Sequence, residues 1–157
     1  MITLPQFPIE GGCGCGALRY RLNEAPRFIY TCHCTDCQAL STSAFTLNMP
    51  INFAALEVIQ GELKMWIRTT GSGAEIPQYV CTHCGVRIYS HHPARSDIAT
   101  LRCGTLDDTT WIVPTAAIWM KSAQPWVRMP DDCILFDVGF TDTAPVVTAW
   151  KAQTGLA

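Results

Sequence analysis

The chain is poor in several things. No apolar run is longer than a few residues, whereas a membrane-spanning helix needs about 20. Met1-Ile2-Thr3-Leu4-Pro5 has no basic stretch followed by an apolar segment and a small-residue cleavage site, which predicts no signal peptide and a cytoplasmic protein. Neither sign of charge dominates: 11 Lys and Arg against 13 Asp and Glu leave a formal −2. That balance argues against a grip on nucleic acid, which calls for clustered cations. Charged residues make up only 15% of the chain and hydrophobic ones 48%, which excludes a disordered or solvating polymer. Eleven Gly and ten Pro, spread throughout, disfavour long helices.

What the chain has is sulfur. Nine cysteines stand among 157 residues. Thiols in a reducing compartment stay free unless a metal holds them, and an odd number cannot pair completely. A length of 157 residues suits one domain over 1–157, and no repeat or interior linker divides it.

Short alternating or β-branched stretches read as strands: 17–22, 28–32, 45–49, 56–62, 65–68, 78–81, 87–90 and 98–102. The fifth and fourth of these look like a hairpin pair around Gly61. Two short helical turns are expected, Thr35 to Leu40 and Thr115 to Lys121, and the tail 143–157 reads as peripheral or as a short packed segment through Val146, Val147 and Trp150. The fold class is therefore mainly β, several small coiled sheets with few short helices, stapled by metal.

Two cysteine pairs sit in turn-forming contexts, Cys13-Gly14-Cys15 followed by Gly16, and Cys81-Thr82-His83-Cys84 followed by Gly85. A loop presents two sulfurs on one side only if its backbone turns sharply, which glycine allows. Four thiolates complete a zinc tetrahedron with no open position, and such a site contributes on the order of 10 kcal/mol to folding. Cys32-His33-Cys34-Thr35-Asp36-Cys37 is different, with three thiols in six residues. Three protein ligands and a vacancy describe a catalytic zinc, and an incoming thiol would lose its proton there and become a nucleophile. The competing readings are His33 as a fourth ligand, a Cys34–Cys37 redox pair, and a weak vestigial site. Cys103 and Cys133 lie outside any pair and read as core residues.

Other residues read more plainly. His83 faces solvent or makes a local hydrogen bond within its knuckle, His91 and His92 read as a surface loop rather than a pocket mouth, and Asp107-Asp108 is turn chemistry. The five tryptophans, Trp66, Trp111, Trp119, Trp126 and Trp150, are assigned mostly to the core. Lys121, close to Trp119, is a solvated lysine or a cation beside an anionic ligand.

The order Gly-Gly-Cys-Gly-Cys-Gly, Cys-His-Cys-x-x-Cys-Gln, Cys-x-x-Cys-Gly resembles the glutathione-dependent formaldehyde-activating enzyme (GFA) or centromere protein V-like family. The likeness continues through Arg102-Cys103-Gly104-Thr105-Leu106-Asp107-Asp108, Ile118 to Ser122, Pro125-Trp126 and Pro130-Asp131-Asp132, about residues 10 to 137. The resemblance implies a β-tent-like fold. It also implies a structural zinc on Cys13, Cys15, Cys81 and Cys84, and a second, exchangeable zinc on Cys32, Cys34 and Cys37, which would be the catalytic residues. The implied activity is a carbon–sulfur lyase reaction joining glutathione to a small aldehyde, with a small thiol as partner and neither nucleic acid nor membrane. The alternative is a non-catalytic thiol- or protein-binding module on the same scaffold. Two departures stand out: Thr42 lies where many members have glycine, and Cys103 where a plain apolar residue is expected.

Overall fold

Alternation decides which way the strands face. In β2 (Arg19–Leu22) Tyr20 and Leu22 are fully buried while Arg19 and Arg21 point outward to Glu10 and Asp107. β2 is the middle of a three-stranded antiparallel sheet, flanked by β1 (Ile9–Gly12) and β5 (Leu56–Gln60). In this computed structural model, which describes residues 1–157, the remaining strands form one eight-stranded sheet. They are β3 (Tyr30–Cys32), β4 (Thr46–Asn52), β6 (Leu63–Thr69), β7 (Glu75–Cys81), β8 (Arg87–His91), β9 (Ile98–Arg102), β10 (Ala116–Ile118) and β11 (Ile134–Leu135). Their spatial order is β11-β10-β3-β4-β9-β8-β7-β6, antiparallel except where β10 runs parallel to β3 and β11. Two α-helices complete the fold, α1 (Thr35–Ser41) and α2 (Ala144–Thr154). The mainly β character and the scarcity of helix agree with the sequence reading, and no helix is long and apolar enough to cross a membrane.

The core fills the space between the sheets. Leu18, Tyr20 and Leu22 share one buried cluster with Met49, Ile51, Ile88 and Leu101 of the large sheet and with Trp111, Val146 and Trp150. Side chains of a strand alternate between faces, so Ala99 and Leu101 of β9 enter this core while Ile98, Thr100 and Arg102 face the other way. That second face of the large sheet carries the site described below. The small sheet meets the segment that follows β9 where Gly11 bridges Leu106, and a Cβ at Gly11 would lie 2.4 Å from the Thr105 carbonyl oxygen.

Several expectations need correction. β5 and β6 are not a hairpin pair: β5 joins β2 and β6 joins β7, so the chain changes sheet at Gly61, whose φ is +79°. β4 continues through Pro50 to Asn52. The Pro50 carbonyl accepts from Arg27 N–H, away from β9, and the missing proline N–H would point to that same side, so the β4–β9 ladder is intact. Residues 116–118 form a buried strand where a helical turn was expected, and only Met120–Ser122 coils into a 3-10 turn. Of the two readings of the tail, the packed one holds and the peripheral one does not. The tail forms α2, with Val146 and Trp150 buried and Trp150 Nε1 donating to the Pro26 carbonyl at 3.0 Å. Trp111 and Trp150 are core residues, but Trp126 is 69% exposed and Trp66 lies on the open edge strand β6.

Candidate metal centres

The four-cysteine cluster sits between the sheets. Cys13 follows β1 of the small sheet, and Cys81 ends β7 of the large one. Each knuckle closes on a left-handed glycine, Gly16 at φ +76° and Gly85 at φ +73°, with Gly16 N–H bonded to the Cys13 carbonyl and Gly85 N–H to that of Cys81. The four sulfurs lie within 4.8 Å of one another, with Cys13–Cys15 at 3.4 Å and Cys15–Cys81 at 3.9 Å. A zinc tetrahedron with Zn–S near 2.3 Å has sulfur–sulfur edges of about 3.8 Å, so this donor set fits the ion. Backbone N–H groups converge on the sulfurs: Leu18 on Cys13 at 3.2 Å and His83 on Cys81 at 3.4 Å. Burial pushes the Cys13 thiol up, but the Leu18 N–H and the neighbouring sulfurs outweigh it and draw it down to about 6. His83 is exposed.

The three-cysteine cluster comes from one short stretch. Cys32 ends β3, Cys34 caps α1, and Cys37 lies in the helix's first turn. The cap is Cys34 itself rather than Thr35 or Asp36: its backbone is extended, and its sulfur accepts the Cys37 N–H at 3.3 Å. A sulfur acceptor thus fills the usual role of an N-cap oxygen. The three sulfurs lie within 4.8 Å of one another, Cys32–Cys34 at 3.6 Å, and all nine cysteines of the chain are free. Cys32 and Cys37 are buried and Cys34 is half-buried. A hydrogen bond from Cys32 draws the Cys37 thiol down to about 5 against the effect of burial, with help from the Thr46 hydroxyl. One sulfur is thereby prepared as a thiolate, the form that ligates metal.

His33 is not part of this set. It is fully buried, on the opposite side of the extended backbone, with Nε2 2.9 Å from Thr31 Oγ1 and the ring against Phe45. Burial lowers its pKa, and its Nδ1 has no partner. Its carbonyl accepts from Gln38 Nε2 at 2.8 Å and Ser122 Oγ at 2.9 Å. Gln38 also donates to the Ser122 carbonyl, so this residue locks α1 to the 3-10 turn after β10. The protein therefore brings three ligands together here and no fourth His, Asp or Glu.

The cluster opens onto a cavity of about 1040 Å³ on the outer face of the large sheet. Cys32, Cys34 and Cys37 stand at one end, with Trp119, Lys121 and the rim residue His92 among its borders. Trp119 is held in the left-handed region at φ 61°, and Lys121 Nζ lies 5.0 Å from its ring centre. His91 is not in a loop but ends β8, paired with Ala99 of β9; it lies outside this cavity, stacked on Phe53 with centroids 4.0 Å apart. Across the floor runs a polar row that the sequence reading missed: Asn48, Gln78, Ser90, Thr100 and Arg102. Asn48 donates to Thr46 Oγ1 at 2.9 Å and accepts from Arg102 Nη1, so a chain of donors leads from the guanidinium through Asn48 and Thr46 toward Cys37. Arg68 borders the same cavity and pairs with Asp36 of α1 at 3.1 Å. The signal for this row was present in β9, where Ala99 and Leu101 are apolar and Thr100 and Arg102 are not.

Residues outside the cavity take structural places. Asp107 forms a fork with Arg19, and Asp108 Oδ1 accepts from Thr110 N–H at 2.9 Å in a tight turn. Cys103 and Cys133 are buried, and burial raises both thiols.

A family model described as glutathione-dependent formaldehyde-activating enzyme matches residues 8–122. No curated protein matches the chain. Among solved structures, the crystal structure of a Rhodobacter sphaeroides protein is similar, at 16% identity, over 63% of this chain and 88% of that one, with a TM-score of 0.49.

Proposed function

The chain belongs to the glutathione-dependent formaldehyde-activating enzyme family, and from that premise we propose that it is a zinc-dependent carbon–sulfur lyase. It joins the sulfur of a small thiol such as glutathione to a small aldehyde. The thiol S–H adds across the carbonyl: a carbon–sulfur bond forms, the C=O π bond breaks, and the sulfur's proton ends on the carbonyl oxygen. Cys13, Cys15, Cys81 and Cys84 would hold a structural zinc, and Cys32, Cys34 and Cys37 an exchangeable one. A divalent zinc with one position open supplies Lewis acidity that favours the thiolate form of an incoming thiol near neutral pH.

The observation that carries this reading is the contrast in donor number at the cavity: three sulfurs at one end of it, with no fourth protein ligand beside them. The chain's own residues have distinct tasks. Cys34 fixes the start of α1, and with it the direction of Cys37. Gln38 and Ser122 hold the His33 carbonyl between two ligand residues, so the extended segment cannot turn His33 toward the cavity. Trp119 borders the cavity and limits the space, and hence the water, beside the sulfurs.

The test is the rate of adduct formation from glutathione and formaldehyde with zinc-loaded protein. The expected result is a rate above the uncatalysed background that Cys34→Ser removes while the fold is kept. A wild-type rate equal to background, with two zinc ions bound per chain, would favour a non-catalytic thiol-binding module instead.

A further inference from the structure

Arg102 and Arg87 are an unusual pair. Both are half-buried, and no carboxylate lies within 4.0 Å of either guanidinium, although every ion pair of the chain is made by an arginine. Both donate to the same neutral atom, Gln78 Oε1: Arg87 Nη1 at 3.2 Å and Arg102 Nη2 at 3.3 Å. These are long for charge-assisted bonds, which run nearer 2.8 Å. Arg102 Nη2 has only one other contact, Ser90 Oγ at 3.5 Å, and Arg102 Nε is sealed from water with no partner at all. Buried charge without a counterion is costly, and two adjacent cations compound the cost.

The cysteine cluster does not balance this charge. Three thiolates around a divalent ion leave one negative charge, against two positive ones on the arginines. Of the cavity's other charged residues, Arg68 and Asp36 are already matched, and Glu75, Arg95 and Lys121 border it without pairing with either arginine. One monoanion is wanting at the point where both guanidiniums converge. Gln78 occupies that point with an amide oxygen, which has the shape of a carboxylate oxygen and none of its charge. Its side chain is held otherwise by a single weak bond, Nε2 to the Ile76 carbonyl at 3.3 Å.

We propose that Arg87 and Arg102 form a carboxylate subsite of the cavity, with Gln78 as its neutral placeholder, so that the chain selects a thiol ligand that carries a carboxylate over one that does not. Arg102 borders both this cavity and a smaller one of about 590 Å³ that also reaches Arg87, so a ligand's carboxylate can be met from both sides. This rests on the reading of the cavity as a thiol site and adds to it the group that fixes specificity. The donor chain from Arg102 through Asn48 and Thr46 then links the occupied subsite to Cys37.

Binding separates the two claims. Zinc-loaded protein is titrated by calorimetry with glutathione, with its dimethyl ester, and with S-methylglutathione, which keeps both carboxylates but has no thiol. Wild type should bind glutathione about tenfold or more tightly than the ester, the size expected for losing a charged hydrogen bond. Arg87→Met and Gln78→Glu should each cut that preference below about threefold. Gln78→Glu places a carboxylate between the arginines permanently, so it should also raise the melting temperature, which keeps the test valid if Arg87→Met fails to fold. Equal binding of glutathione and ester by wild type overturns the subsite and leaves the thiol reading intact. S-methylglutathione bound as tightly as glutathione, with both variants defective, upholds the subsite and removes the thiol reading. An unaltered preference in both variants, or no binding of any of the three, overturns the subsite.

Discussion

Cys13 and Cys15 leave the small sheet at the end of β1, and Cys81 and Cys84 leave the large one at the end of β7; Cys32, Cys34 and Cys37 all come from one turn of chain between β3 and α1. The first set joins positions as far as 71 residues apart, Cys13 and Cys84, the second positions at most a few apart. A metal held by the first set closes a long loop and ties two sheets together, which removes conformational entropy from the unfolded chain. A metal held by the second set closes almost nothing that α1 does not already close. On the proposed reading the same ligand atom would serve two ends: where the chain is distant the sulfurs would hold the fold, and where it is local they would be free to hold chemistry.

The comparison breaks most sharply on single serines. Cys81→Ser should remove a site worth on the order of 10 kcal/mol, comparable to the whole stability of a domain at about 5–15 kcal/mol. Its far-UV circular dichroism should show no cooperative melt. Cys37→Ser should keep that melt and lose one of two zinc ions by elemental analysis. If both variants unfold alike, the second cluster is structural too and the distinction between them fails.

Much of this is legible in the sequence. That the sulfurs fall into two groups could be read from cysteine spacing, and for the first group from Gly14, Gly16 and Gly85 as well, because a knuckle needs its residues contiguous. The strands with clean alternation, such as β2 and β9, could be placed, but not their partners. Leu56–Gln60 and Leu63–Thr69 are neighbours in sequence and lie in different sheets, and nothing local announces that Gly61 is a crossover rather than a hairpin turn. Ala116–Ile118 was misread because a three-residue parallel strand carries no period of its own; its burial comes from β3 and β11 on either side. The arginine pair was invisible for the same reason. Arg87 and Arg102 are ordinary residues on two strands until the β8–β9 pairing and Gln78 of β7 bring them to one atom.

A second contrast lies in how the two clusters turn the backbone. The knuckles of the first use Gly16 and Gly85 in the left-handed region, whereas α1, which carries the second, ends on Thr42 at φ 50°. A β-branched residue there is strained, and its side chain only reaches the Ser41 carbonyl. Thr42→Gly should therefore stabilise the chain by about 0.5–1 kcal/mol after the extra entropy of an unfolded glycine is subtracted. Gly85→Ala should destabilise by about 1 kcal/mol, for backbone reasons alone, since its Cβ would meet nothing within 4 Å. Thermal melts of the two variants should shift in opposite directions, and shifts of the same sign would show that glycine is not what separates the two turns.

The smallest effect tests whether anything besides sulfur ties the sheets beside the first cluster. Arg19 of β2 forks onto Asp107, beyond β9, with Nη1 donating to Oδ1 at 2.8 Å. The Arg19 hydrogen bonds hold the Asp107 carboxyl below the usual range. A depressed carboxylate adds stability that is complete above its unfolded value, about 3.9, and is lost as pH falls through the folded one. Asp107 is 54% exposed, so Asp107→Asn should cost under about 1 kcal/mol at pH 7. In urea titrations the gap between wild type and variant should stay level from pH 7 to pH 5, while the stability of both falls as protons compete with metal for the thiolates. A gap that itself narrows over that interval would assign part of the acid sensitivity to this ion pair, and the four sulfurs would no longer account for it alone.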